Sequence, residues 1–191
     1  MARCLAVGLV LIATGCGLGE RAAIPESSLS TLVLQQTDLR NGYSEFADGA
    51  QGRNDAHSGP RKDEQRFGRL GGWISRFSRA GASITTRGPL VVESRADLFP
   101  SADAAKKDLR AYEDEYNAAA DELGVEPVEP PSIGNDAVAF RFGSGADRFV
   151  AFAWREANAT ALVVVEGSSI SLADAVELAR RQQVHLKAAE G

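Results

Sequence analysis

The chain has 191 residues, 44% of them apolar and 25% charged, and 26 acidic against 21 basic side chains give a formal charge of −5. This composition excludes wholesale disorder and fibrous or low-complexity architectures, and the length suits one domain with a sizeable core. The arginines at 66, 69, 76, 79 and 87 are interspersed with Gly, Ser and apolar residues. They form no dense basic footprint, so nucleic acid is not expected as a partner.

Residues 1–15 combine a basic start at Arg3, an apolar run from Leu5 to Ile12 and the small residues Ala13-Thr14-Gly15, directly before Cys16. That run is far shorter than the ~20 apolar residues needed to span a bilayer, and the order basic, apolar, small is that of an export signal. It resembles the bacterial lipoprotein signal, in which the cysteine thiol receives diacylglycerol and becomes the first mature residue. The resemblance implies lipidation at Cys16 and a lipid anchor on the extracytoplasmic face of the cell membrane. Leucine is usual where Ala13 stands, and plain secretion is the alternative at that position. Cys4 falls inside the signal, so the mature chain has no cysteine pair for a disulfide, a CxxC redox motif or cysteine-based zinc ligation.

Residues 16–30, rich in Gly, Pro and Ser, read as a flexible tether, and the domain is expected over 31–191. Thr31–Asp38 has three adjacent apolar residues without a period, which suits a strand or a short helix, and Asn41-Gly42 marks a turn. The almost wholly polar stretch 47–65 reads as a mobile loop, a candidate lid or contact arm. Phe67–Arg79 favours a strand with a bulge. Leu90–Phe99 is a second strand closed by Pro100, after which Ser101 caps a helix that ends at Gly124 and buries Ala105, Leu109, Tyr112, Tyr116, Ala119 and Leu123. Prolines make 125–132 an extended linker. Three strands, 137–142, 148–155 and 160–166, have connectors short enough for an antiparallel meander, and the second is apolar on both faces. Ser171 and Asp174 cap a last helix that runs to about Ala188. The sum is an α+β fold, a mainly antiparallel sheet packed with two main helices.

Chemical motifs are sparse. His57 and His185 have no partner at metal-ligand spacing; His57 reads as a solvated or contact residue of the loop, and His185 as a cation at a helix C-terminus. No nucleophile elbow, phosphate loop or calcium loop occurs, and Gly68, Gly71 and Gly72 read as bulge or turn formers. No cofactor or metal is expected. Most aromatic residues fall on buried phases, whereas Trp73 stands among glycines and arginines, so Trp73, Arg69, Arg76, Arg79 and His57 form the candidate binding surface.

The capped helix, the Ile133-Gly-Asn-Asp-Ala137 approach to the meander and the C-terminal helix make residues 90–188 similar to the PsbP-type sandwich. That architecture occurs in extrinsic photosynthetic proteins, envelope lipoproteins and, similarly, extracellular sensor domains of bacterial kinases. The resemblance implies a non-enzymatic binding, accessory or sensor module, with an envelope protein or small ligand as partner. An envelope hydrolase with a site of dispersed residues is the rival reading, and a purely structural envelope component a third.

Overall fold

The computed structural model describes residues 23–53, 66–83, 85–118, 120–143 and 148–190. Among them lie seven strands in one antiparallel sheet of order β1-β2-β3-β7-β6-β5-β4. The strands are β1 Tyr43–Gln51, β2 Gly71–Arg79, β3 Gly88–Leu98, β4 Glu126–Val128, β5 Asp136–Phe142, β6 Arg148–Glu156 and β7 Ala159–Ser168. Helices α1 (Ala102–Ala118) and α2 (Ala120–Leu123) follow β3, and α3 (Leu172–Ala189) follows β7. The α+β class, the meander and both main helices match the expectation.

Alternation along β6 dictates the layers. Val150, Phe152 and Trp154 project to the face covered by Ala175, Ala179 and Leu186 of α3. Ala151 and Ala153 project to the other face, where Leu109, Tyr112 and Tyr116 of α1 close over them. A strand with no polar phase is stable only with apolar cover on both sides, and this sheet has a helix on each.

Helix α3 packs mainly on β6 and β7 and touches β3 through Gln182, and the N-terminal segment covers much of the same face of β2 and β3. Ile24, Leu32, Val33, Leu34 and Leu39 are all buried in the α3-side core. Residues 24–30, expected as tether, therefore belong to the domain, with a 3₁₀ helix at Glu26–Thr31. Leu32–Leu34, the run that suited a strand, lies between that helix and a second 3₁₀ turn at Gln36–Asp38. Burying a non-ladder backbone requires side chains to satisfy it. Leu34 N–H donates to Ser94 Oγ at 2.9 Å and Leu34 C=O accepts from Ser75 Oγ at 2.9 Å. Ser94 Oγ donates in turn to Gln182 of α3 at 2.9 Å. Ile24 N–H donates to Asn158 Oδ1 at 2.7 Å, and Asn158 Nδ2 donates to the carbonyls of Ile24 and Phe99 at 3.2 and 3.0 Å.

Residues 47–51 of the expected loop are the second half of β1, an edge strand bulged between Glu45 and Ala47. Residues 54–65, with His57, lie outside the described residues, as does Cys16. Part of the expected linker is a strand too, because Pro127 sits on β4 at the sheet edge, where the missing N–H breaks no interior ladder. The α1 cap is as expected, with Ala104 N–H donating to Ser101 Oγ at 3.1 Å, and Gly124 adopts φ +60°. The expected long helix is helical over Ala102–Ala118 and Ala120–Leu123, and Ala119 and the side chain of Leu123 lie outside the described residues.

Asn158→Ala strands the Ile24 peptide without its partners. The expected loss is about 2–3 kcal/mol of stability in urea unfolding, with new proteolytic cleavage confined to the segment before Leu32.

Candidate functional site

The expected surface of arginines around Trp73 does not assemble. Arg69 is buried, its side chain fully covered. Its guanidinium donates to Asp97 Oδ1 at 2.8 and 2.5 Å and to the Gly52 carbonyl at 2.7 Å, while Arg95 lies 3.3 Å from the second Asp97 oxygen. Gly72, expected as a bulge or turn former, is the hole that admits this ion pair: a Cβ there would sit 2.1 Å from Asp97 Oδ1. Trp73 is half-buried against the α3-side core and donates to Asp48 at 2.6 Å, so it is no free contact aromatic. Arg76 points to the opposite face and pairs with Glu93 at 2.7 Å. Of the expected residues that are described, Arg79 lines a groove.

That groove, of about 160 Å³, lies where the turn after the second 3₁₀ helix meets the ends of β2 and β3 and the first half of α3. Leu39, Tyr43, Pro89, Val92 and Leu178 form its apolar walls, and Asp38, Arg40, Arg79, Asp174, Glu177 and Arg181 its charged rim. Sequence puts Asp174, Glu177, Leu178 and Arg181 on one stripe of α3, at offsets of three, four and seven. Gly42, with φ +99°, permits the turn that brings Arg40 and Tyr43 to the same place.

Most rim charges are paired within the chain. Glu177 accepts from Arg181 at 2.5 Å and from Arg40 at 3.3 Å. Arg181 also donates to the Asp38 carbonyl, and His185 lies 2.8 Å from the Asp38 carboxylate. His185 is thus turned to a carboxylate on the N-terminal segment; it does not serve the helix end as expected. Hydrogen bonding from Arg181, then its charge, holds the Glu177 carboxyl below the usual range, and Arg40 adds to this. The Tyr43 hydroxyl donates to the Pro89 carbonyl at 2.6 Å. Burial raises its pKa, Asp174 raises it further, and Arg79 and Arg40 oppose the rise, so these three charges all act on one phenol. The sequence signal that could have found this groove is the charged stripe of α3 together with the Arg40-Asn41-Gly42 turn.

Two outcomes follow. Arg69→Ala leaves a buried carboxylate short of a partner and is expected to cost roughly 3 kcal/mol in urea unfolding, a loss that a contact residue on the surface would not cause. For Tyr43, a raised folded pKa means that its stabilisation is complete below the ordinary value of 10.0 and is lost as pH rises through the folded value. Wild type should therefore lose stability above pH 10 more steeply than Tyr43→Phe, which parallel denaturant titrations would detect.

No family model matches the chain, and no curated protein matches it. Among solved structures it is similar to the extracellular domain of PknH from Mycobacterium tuberculosis, with a TM-score of 0.66 at 11% identity, covering 89% of this chain and 100% of that one. At this identity the likeness is one of fold, and at that level it meets the expected resemblance to extracellular sensor-type domains.

Proposed function

We propose that this protein is a lipoprotein anchored through Cys16 on the extracytoplasmic face of a bacterial membrane, a non-enzymatic binding or sensor module of the PsbP-like sandwich kind whose site is the groove. The carrying observation is the rim: Asp38, Arg40, Glu177 and Arg181 are held in partnerships within the chain, and Arg181 keeps the pKa of the Glu177 carboxyl low. A general acid or base needs a pKa near the working pH, whereas a carboxylate held low offers a permanent charge for recognition. The apolar walls with a few convergent polar groups suit a ligand site. The likeness to an extracellular domain supports the same compartment, and no helix among the described residues is long and apolar enough to cross a membrane.

The clamp at Ile24 bears on the geometry. Eight residue steps separate Cys16 from Ile24, a reach of at most about 29 Å whatever their conformation. Asn158 holds Ile24 at the start of β7, and the groove lies beside the far end of that ten-residue strand, about 25 Å away. An anchor at Cys16 is therefore attached to the clamped end of the domain, opposite the end that carries the groove.

Intact mass measurement on protein from detergent-solubilised membranes should find a diacylated Cys16 at the N-terminus. Cys16→Ala should move the folded domain from the membrane to the soluble fraction. An unacylated N-terminus on the membrane-bound protein would overturn the anchor.

A further inference from the structure

Two charges of the groove stand apart from the paired network. Arg79 donates one hydrogen bond, to the Arg87 carbonyl at 3.1 Å, and among the described residues it meets no carboxylate. Asp174 accepts from Ser171 Oγ at 2.5 Å, within its own helix cap, and among the described residues it meets no cation. Both flank Tyr43, acting on its phenol with opposite sign, and both line the groove whose walls are Leu39, Val92 and Leu178.

We infer that the groove is a site for a free amino acid with an apolar side chain, whose carboxylate pairs with Arg79 and whose ammonium pairs with Asp174. The inference rests on the binding-module reading and adds the ligand class. A guanidinium with spare donors presents a fork to a carboxylate, and a partly buried carboxylate suits an ammonium. A ligand bearing only one charge would leave the other group of the pair desolvated and unmatched. The volume of about 160 Å³, close to the ~150 Å³ of a cavity that takes up a benzene-sized body, matches one side chain of the leucine or phenylalanine class. The walls reward an apolar side chain over a polar one.

Calorimetric titration of the full-length protein, purified in detergent, with L-leucine, L-phenylalanine, leucinamide, N-acetylleucine and L-glutamate tests this. Saturable binding of leucine or phenylalanine is expected, at least tenfold tighter than that of leucinamide, which lacks the carboxylate, N-acetylleucine, which lacks the ammonium, or glutamate. Arg79→Ala should weaken leucine at least tenfold yet leave leucinamide unchanged. Asp174→Asn should weaken leucine likewise and leave N-acetylleucine unchanged, with both variants remaining folded by circular dichroism under the titration conditions. Equal binding of the blocked forms, variants that lose all ligands alike, or no binding of either amino acid by folded protein would overturn the assignment. None of these results touches the anchor, which the mass of the N-terminus decides separately.

Discussion

The architecture depends on one constraint: the middle of the sheet has no polar face. Val150, Phe152 and Trp154 on β6, with Val163 and Val165 on β7, need cover on one side, while Ala151, Ala153 and Leu162 need it on the other. Alanines at 151 and 153 let α1 lie close, and its Tyr112 and Tyr116 pack with Phe140 at ring separations of 6.3 and 4.9 Å. One helix per face is not enough, because α3 packs mainly on β6 and β7, touching β3 through Gln182, and leaves much of the same face of β2 and β3 to be covered. The N-terminal segment closes that gap.

Closing it with irregular backbone creates a second requirement. Buried peptide groups outside a ladder need partners, so polar side chains appear at core positions: Ser75 and Ser94, paired across β2 and β3, hold both sides of Leu34, and Asn158 holds both sides of Ile24. These residues look out of place in an apolar pattern and are explained by what they receive. The same clamps fix where the chain leaves the domain, so the cover that completes the core also decides which end of the molecule an N-terminal anchor would hold.

Much of the fold was legible where periodicity was strong. The meander, both capped helices and the two-faced character of β6 follow from alternation, short connectors and Ser caps. Strand β1 was not legible, because an edge strand with one partner and no helix over it has no apolar phase to betray it, and its Tyr43–Gln51 run is mostly polar. The N-terminal cover was missed for the converse reason: its apolar residues bury themselves from 3₁₀ turns and extended backbone, which have no period to read. Of the site, the sequence pointed to Arg79 and to little else. The spacing that unites Asp174, Glu177 and Arg181 is visible on α3, but that they face Arg40 and Tyr43 depends on a turn more than 130 residues earlier in the chain. Arg69 misled because composition cannot distinguish an arginine among glycines at a surface from one for which a glycine makes room.

The two arginine clusters then divide the work of the molecule. Arg69 lies under full cover with its charge opposed by Asp97 and its donors shared with the Gly52 carbonyl, so it ties the end of β1 to β3 and offers solvent nothing. In the groove, Arg40 and Arg181 converge on Glu177 and so hold one wall in shape. Arg79, a few residues along the same strand as Gly72, donates to the Arg87 carbonyl and meets no carboxylate among the described residues. A guanidinium keeps most of its donors when it spends one in this way. On the proposed reading, Arg79 and Asp174, unmatched among the described residues, would give the groove its selectivity, because only an incoming molecule carrying both signs balances the two together.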